Sequence, residues 1–253
     1  MNTVAVVLAS GRGERFGKSN IPKHLTPFLG VPCIIWTLDT ILKSKLFSAV
    51  VVVVSKKNMA ITKENLSKYF LDEKVSMITT EGANDRTQSF DLGFNCLKKL
   101  NFIDQSSILA LFDANRPFVQ VSQLLELHQA MDANACACPA RPLVNGVAFV
   151  DTNYIVSVPK KSDLMEFVTP EFVNLHHFSC NLDKFLDGHN CLVELSLASG
   201  IQPYTIRATD INTKLTYPED QPFMEELAKQ KKLMPPIPHA DLKKMSFSLR
   251  PNQ

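Results

Sequence analysis

Val4-Ala5-Val6-Val7-Leu8-Ala9-Ser10-Gly11-Arg12-Gly13-Glu14-Arg15-Phe16-Gly17 is the stretch of sequence that decides the fold of this chain. Its first six residues are apolar, which is typical of a buried strand in a parallel sheet. The strand runs directly into a loop with three glycines, and glycine lets backbone N–H groups turn toward an anion without a Cβ in the way. The stretch therefore predicts an α/β protein with an anion site after its first strand. Four nearby cations can neutralise a triphosphate: Arg12, Arg15, Lys18 and Lys23.

The glycine loop departs from the two common nucleotide-binding patterns. The dinucleotide pattern G-x-G-x-x-G lacks its third glycine because Phe16 stands there, and the loop has no Gly-Lys-Ser or Gly-Lys-Thr of a P-loop. On the loop alone, an ordinary strand-to-helix turn with surface charge stays open as an alternative.

Strand and helix patterns alternate along the first half of the chain. Apolar runs predict strands, and apolar residues at helical spacing predict the helices between them. This order indicates a doubly wound, mostly parallel sheet, in which ligands gather at the carboxyl ends of the strands. We therefore expect the loop at 10–23, the segment 82–89 and Asp113 to converge on one crevice. The predicted strands are 4–8, 49–54, 76–79 and 108–112, and the predicted helices are 34–45, 61–69 and 87–100.

Composition sets the broad class of the protein. The chain has 253 residues and 45% hydrophobic content, which suits one α/β domain, predicted over 1–228, with a Lys- and Pro-rich tail over 229–253. Lys and Arg number 27 against 25 Asp and Glu, and this balance gives no long-range attraction to nucleic acid. No apolar run is long enough to cross a bilayer or to act as a signal peptide. We expect a soluble cytoplasmic protein with no nucleic-acid or membrane partner.

The six cysteines do not form a metal-site pattern. Cys136 and Cys138 make one C-x-C pair, but no second pair stands at zinc-site spacing, and the pair lies in a segment typical of a buried strand. We expect these thiols to be small buried residues in a reducing compartment.

The segment 143–158 predicts a protruding β-hairpin arm with its turn at Asp151-Thr152-Asn153. An isolated hairpin is marginal in water, so its apolar side chains favour burial against a second copy of the chain in a homodimer. The alternative is a solvent-exposed hairpin without a partner. The apolar side chains are those of Val147, Phe149, Val150, Ile155 and Val156.

Five segments of the chain resemble, in order, the motifs of a cytidylyltransferase family. That family couples CTP to 2-C-methyl-D-erythritol 4-phosphate and also includes ribitol 5-phosphate cytidylyltransferases. Ser10, Phe16 and Glu171 stand where the family usually has Ala, Met and Gln. The resemblance implies a Rossmann-like nucleotidyltransferase fold of the glycosyltransferase-A type, with an arm that embraces a second subunit. The segments are 9–16 with Pro22-Lys23, 82–89, 112–118, 169–172 and 212–220.

The implied reaction is an in-line attack by an acceptor phosphate oxygen on the α-phosphorus of CTP, with release of pyrophosphate. Two anions must meet, so electrostatics and positioning should dominate catalysis. The resemblance assigns Arg15, Lys23 and Lys214 as the catalytic cations. For each cation, a solvated surface position is the alternative. The triphosphate would be bound by backbone and side-chain donors of Ser10, Gly11, Arg12 and Gly13.

A metal ion and the base complete the implied nucleotide site. Asp113 follows a predicted strand, and a carboxylate beside a triphosphate calls for Mg²⁺, which takes one or two carboxylates plus phosphate oxygens. Alternatively, Asp113 caps the following turn, and Arg116 pairs with a nearby acid. Ser89 is either a base contact or a residue at a helix start. The resemblance assigns the base site to Ala9, Gly82, Asp85, Arg86 and Ser89.

The acceptor site is where the sequence departs from its relatives. Enzymes acting on methylerythritol phosphate present an Asp-Thr pair and an Arg, and the matching positions here are Asn145-Gly146 and Lys161. Glycine lacks the threonine hydroxyl, and lysine replaces a bidentate fork with a point charge. We therefore expect a polyol phosphate or a phosphonate acceptor, with methylerythritol phosphate as the alternative. A degenerate nucleotide-binding scaffold and a dinucleotide-dependent oxidoreductase are the alternatives from other classes.

Overall fold

The computed structural model describes residues 2–11, 13–17, 21–70, 76–83, 85–178, 189–209, 211–239 and 241. The strands are β1 (Thr3–Ala9), β2 (Pro27–Phe28), β3 (Val31–Pro32), β4 (Ala49–Val54), β5 (Ser76–Glu81), β6 (Ile108–Asp113), β7 (Cys136–Pro142), β8 (Phe149–Asp151), β9 (Tyr154–Ser157), β10 (Met165–Phe167), β11 (Glu171–Asn174) and β12 (Tyr204–Arg207). The helices are α1 (Cys33–Ser44), α2 (Met59–Tyr69), α3 (Arg86–Lys99), α4 (Val121–Ala130), α5 (Leu192–Ala198) and α6 (Asp220–Gln230).

A central sheet joins most of the strands in the order β10-β7-β11-β6-β1-β4-β5, and β12 pairs with β7. The strands β6, β1, β4 and β5 are parallel to one another, and β12 is parallel to β7. In contrast, β11 runs antiparallel to both β6 and β7, and β10 runs antiparallel to β7. The predicted α/β fold with a mostly parallel sheet is confirmed.

Helices cover both faces of this sheet, which explains why β1, β4 and β6 are apolar at nearly every position. Along β1, Ala5 and Val7 pack into a core layer with α1, α4 and α6. Val4 and Val6 point the other way, into a second layer with α3 and α5. Full burial of one such aliphatic side chain contributes about 1.5–3 kcal/mol, so a strand buried on both faces has little room for polar residues.

The strand register brings the ends of β1, β5 and β6 to one edge. Leu8 pairs with Asp113 across β1 and β6, Ala9 pairs with Val54 across β1 and β4, and Val54 pairs with Glu81 across β4 and β5. The glycine loop, the segment that begins at Gly82 and Asp113 therefore leave the sheet side by side.

The predicted hairpin forms a separate two-stranded sheet of β8 and β9. Asp151 pairs with Tyr154, so the turn lies at Thr152 and Asn153 as the sequence indicates. Every residue of the two strands is exposed. The hairpin thus protrudes from the part of the chain that the structure describes.

The structure also locates the paired cysteines and the predicted end of the domain. Cys136 and Cys138 are buried in β7, as expected, and the described residues contain no cluster of three or more metal-ligating side chains. The predicted boundary at 228 falls inside α6, and Leu233 beyond it still packs against the core. Within the described ranges, no helix is both long and apolar enough to cross a membrane.

Candidate active site

A cleft of about 720 Å³ opens at the carboxyl edge of the parallel strands. It brings together residues that are far apart in sequence, from the glycine loop, the start of α3, the end of β6 and the segment before α6. The site residues predicted from sequence that line it are Ala9, Ser10, Gly11, Gly13, Arg15, Lys23, Asp85, Arg86, Asp113 and Lys214.

Five of the predicted site residues that the structure describes lie outside the cleft lining. Gly82 and Ser89 lie beneath the cleft wall that Ser10 forms. The acceptor candidates Asn145, Gly146 and Lys161 are outside the cleft lining. Arg12 lies outside the described residues.

The glycine loop turns sharply so that Arg15 faces the cleft. Gly13 has φ +68°, a left-handed conformation that a residue with a Cβ adopts only at a cost, and its carbonyl accepts a hydrogen bond of 2.8 Å from the N–H of Phe16. The resulting 3-10 turn, Glu14–Phe16, buries Phe16 and leaves Arg15 exposed on the opposite side.

Lys23 is held between other cations at the mouth of the cleft. Pro22, with φ −56°, starts the 3-10 turn that carries Lys23. The Lys23 ammonium lies 5.9 Å from the Phe16 ring centroid and donates a 3.4 Å hydrogen bond to the carbonyl of Thr216. Burial, followed by repulsion from Lys214 and Arg15, lowers the pKa of Lys23 to about 8. An anion bound here relieves this repulsion and holds Lys23 in its charged form.

His24 anchors the Lys23 turn to the protein interior. Its Nε2 lies 2.8 Å from the hydroxyl of Thr62 on α2, and both side chains are buried. Burial lowers the pKa of His24 to about 4, so the ring is neutral at physiological pH. Sequence reasoning missed this residue because only the fold brings α2 against the turn.

Asp113, the last residue of β6, is the centre of a buried ion cluster. Its carboxylate pairs with Arg86, with the Lys214 ammonium at 2.9 Å, and with the Arg116 guanidinium at 3.6 Å. Burial alone would raise the pKa of Asp113, but these three cations outweigh it and hold the pKa far below its ordinary value. The predicted position at a strand end is confirmed, and Arg116 pairs with an acid as the alternative proposed.

Hydrogen bonds between the segments that contain Asn115 and Leu215 fix the backbone next to Lys214. Asn115 donates from its amide to the carbonyl of Leu215 at 2.7 Å, and the Leu215 N–H returns a 2.9 Å bond to the Asn115 carbonyl. Arg116 adds a 2.9 Å bond to the carbonyl of the buried Asn212. Asn115 and Asn212 thus position the Lys214 ammonium next to Asp113. Both asparagines belong to the sequence motifs, but the sequence alone does not indicate this positioning role.

Arg86 connects Asp113 to β11 and to the segment before α5. Its Nε donates to the carbonyl of Asn190 at 2.9 Å, and its Nη2 lies 3.9 Å from Glu171. Glu171 accepts a 3.0 Å hydrogen bond from the N–H of Val193, and burial raises its pKa against the opposing effect of Arg86. The structure therefore places Arg86 on the carboxylate cluster.

The donor set suits a magnesium ion that arrives together with a polyphosphate. Asp113 supplies one carboxylate to the cleft, and Mg²⁺ in phosphate-transfer sites needs only one or two because phosphate oxygens and water complete its shell. Lys214 and Arg86 would then divide their hydrogen bonds between Asp113 and the incoming phosphates.

The acceptor candidates lie together at the base of the hairpin. The Lys161 ammonium donates a 2.6 Å hydrogen bond to the carbonyl of Val144, directly before Asn145 and Gly146. Close to them in sequence, Arg141 and Glu166 form a two-point ion pair at 2.9 and 3.2 Å. The structure thus groups the three candidates with the arm.

A family model described as IspD, 2-C-methyl-D-erythritol 4-phosphate cytidylyltransferase, matches residues 3–229. The chain belongs to this family. The ribitol-5-phosphate cytidylyltransferase of Lactiplantibacillus plantarum is 23% identical over 85% of this chain and 94% of its own length. The 2-C-methyl-D-erythritol 4-phosphate cytidylyltransferase of Thermosipho africanus is 30% identical over 87% of this chain and 96% of its own length. The resemblance inferred from the five motifs, and with it the expected class of nucleotidyltransferase, is confirmed.

Solved structures support the same fold for this IspD-family chain. The 4-diphosphocytidyl-2C-methyl-D-erythritol synthase of Anaerococcus prevotii superposes with a TM-score of 0.71 at 21% identity, covering 90% of this chain and 98% of that one. The 2-C-methyl-D-erythritol 4-phosphate cytidylyltransferase of Thermus thermophilus gives 0.63 at 17% identity, covering 88% and 98%. Both solved structures share the fold of this chain over nearly their whole length.

Proposed function

We propose that this chain transfers CMP from CTP to a small phosphorylated or phosphonate-bearing acceptor and releases pyrophosphate. The convergence of Arg15 and Lys23 from the N-terminal loop with Lys214 from a distant segment on one cleft is the observation that carries the proposal. Burial, followed by repulsion from Lys214 and Arg15, lowers the pKa of Lys23, and a bound anion would offset both effects. Such a site is complementary to a triphosphate.

The cations act on the charge that moves during the reaction. An acceptor phosphate oxygen attacks the α-phosphorus, the bond from that phosphorus to the bridging oxygen breaks, and its electron pair leaves on pyrophosphate. Arg15 and Lys23 stabilise the departing pyrophosphate, and Lys214 holds the α-phosphate beside the incoming oxygen. Asp113 is the residue that would hold Mg²⁺, and the bound ion neutralises phosphate charge. No acid–base group is required, since the attacking oxygen is already anionic.

The acceptor we favour is a polyol phosphate. The relative from L. plantarum is named for ribitol 5-phosphate, and the acceptor candidates of this chain lack the threonine hydroxyl and the guanidinium expected for methylerythritol phosphate. Methylerythritol phosphate remains the second candidate because the relative from T. africanus, at 30% identity, is named for it.

We also propose that the chain works as a homodimer. The hairpin exposes Phe149, Val150 and Ile155, each at more than 60% of its surface, and it has no packed core of its own. The acceptor candidates Asn145 and Lys161 sit at its base, away from the cleft lining. A second copy would cover these apolar side chains and receive the acceptor residues at its own cleft.

Pyrophosphate release from CTP and Mg²⁺ tests this function directly. The acceptor panel is ribitol 5-phosphate, methylerythritol 4-phosphate, glycerol 3-phosphate and a simple phosphonate, with UTP and ATP as nucleotide controls. We expect one strong signal, with CTP and a polyol phosphate. CTP binding without turnover on any acceptor would instead support a degenerate nucleotide-binding scaffold.

A further inference from the structure

Ser10 and Ser89 meet beneath the cleft wall, between two of the motifs. The Ser10 hydroxyl donates a 2.7 Å hydrogen bond to the Ser89 hydroxyl, across 79 positions of sequence. Ser89 is fully buried and Ser10 nearly so. The contact joins the glycine loop to the segment 82–89, which the family resemblance assigns to the base.

Three hydrogen bonds within the chain hold the Ser89 hydroxyl. Besides the bond from Ser10, its oxygen accepts a 3.1 Å bond from the N–H of Ala83 and donates a 3.1 Å bond to the Ala83 carbonyl. A hydroxyl offers one donor and two acceptor positions, and all three are used inside the protein. The Ser89 hydroxyl thus ties Ser10 to the backbone of Ala83.

The glycine at position 82 allows this close approach. A Cβ placed on Gly82 would clash with the Ser10 Cβ and would lie 2.9 Å from a methyl group of Val53, closer than real side chains approach. The Gly82 N–H also donates a 2.8 Å bond to the carbonyl of Val54. The backbone at 82–83 is therefore pressed against Ser10 and fixed there by the two hydroxyls.

We propose that the Ser10–Ser89 pair is a hydroxyl lock that sets the separation between the Ala9–Ser10 backbone and the Gly82–Ala83 backbone, the two sides of the base site. Ser10 and Ser89 are thus positioning residues for the pyrimidine of CTP. The inference rests on the proposed function for its ligand. Ser10 stands where the family usually has alanine, so this part of the lock is a property of this chain.

The test compares Ser10→Ala, Ser89→Ala and the double variant with Ser67→Ala, which removes an exposed hydroxyl from α2. Calorimetry measures the affinity for CTP and, separately, for pyrophosphate, which has no base. We expect Ser10→Ala to weaken CTP binding about tenfold, the effect of one hydrogen bond, and pyrophosphate binding less than twofold. Ser10→Ala should add little further loss in the Ser89→Ala background, because both substitutions open the same lock.

Three results would overturn the lock: equal weakening of CTP and pyrophosphate, no change in either, or additive effects of the two substitutions. Hydrogen exchange gives a readout that does not depend on the ligand. The Ala83 amide should exchange at least tenfold faster in Ser89→Ala and at the wild-type rate in Ser67→Ala. If the wild-type chain fails to bind CTP, the proposed function fails, and an unchanged Ala83 exchange rate would separately refute the lock.

Discussion

Lys23 is the residue whose charge state depends most directly on the cleft. Its pKa of about 8 means that the ammonium is present below that pH and lost above it. Because the charged form of Lys23 binds phosphate, we expect the affinity for CTP to fall as the pH rises through about 8. Calorimetric titrations at pH 6.5, 7.5, 8.5 and 9.5 measure this.

Lys23→Arg is the matched control, since guanidinium stays charged over this range. Its CTP affinity should show no step near pH 8, although its absolute value changes. A step of the same size in both proteins would assign the titration to another group.

Asp113 neutralises the cleft when no ligand is bound. Asp113→Asn should lower Mg²⁺-dependent turnover by about 10²–10³-fold, as expected for the loss of an electrostatic transition-state contact. It should also strengthen metal-free binding of pyrophosphate, because Lys214 and Arg86 are released from their counter-ion. Calorimetry in EDTA measures the second effect, and Glu14→Gln controls for the loss of one negative charge from the lining. Weaker metal-free binding in Asp113→Asn would contradict the counter-ion role.

His24 makes the free energy of unfolding depend on pH in the acid range. Its pKa is about 4 in the folded protein and 6.5 as a free group, so the unfolded chain binds a proton first as the pH falls. The stability contributed by the neutral ring is complete above pH 6.5 and is lost between pH 6.5 and 4, by about 3 kcal/mol. Urea unfolding at pH 7.0 and 4.5 should show that His24→Gln loses roughly that much less than the wild type over this interval. An equal loss in both proteins would exclude His24 as the group responsible.

At the scale of elements, α3 is held unusually close to the sheet. A Cβ on Gly93 would lie 2.8 Å from methyl groups of both Val53 and Val6. Although alanine favours a helix by about 1 kcal/mol over glycine, we expect Gly93→Ala to destabilise the fold by about 1–3 kcal/mol through overpacking. Gln88→Ala, at an exposed position of the same helix, is the control. Thermal and urea unfolding decide the sign, and a stabilised Gly93→Ala would show that the helix can move outward.

The elements that are predicted well from the sequence are those whose burial is evident from their local amino-acid composition. The bounds of β4 are as predicted, and β1 and β6 begin and end within one residue of the prediction, because strands buried on both faces must be continuously apolar. The edge strand β5 begins at the predicted residue and ends two residues later. The strands β10 and β11 are not predicted from the sequence, because they are three and four residues long and pair antiparallel across long sequence distances. The contact between Ser10 and Ser89 is not predicted for the same reason, since it spans 79 positions of sequence.

At the scale of the whole molecule, the cleft and the arm are separate surfaces of one chain. The sequence motifs indicate the cleft by their residue types, and the structure brings the cations of these motifs together there. The second is shown by exposed apolar side chains, which a lone hairpin cannot bury. If a second copy covers the arm and shares its acceptor residues, assembly and acceptor use must change together while nucleotide binding stays.

The double variant Phe149→Asp/Ile155→Asp tests this link. Two carboxylates on the hairpin would be costly to bury, so we expect sedimentation to show a dimer for the wild type and a monomer for the variant. CTP affinity should stay within about twofold, because the cleft lining is untouched, whereas turnover should fall at least tenfold through a higher KM for the acceptor. Leu125→Asp, at an exposed apolar position on α4, controls for added surface charge and should behave as the wild type. A variant that stays dimeric would free the arm from this role, and a fully active monomer would place the whole acceptor site within one chain.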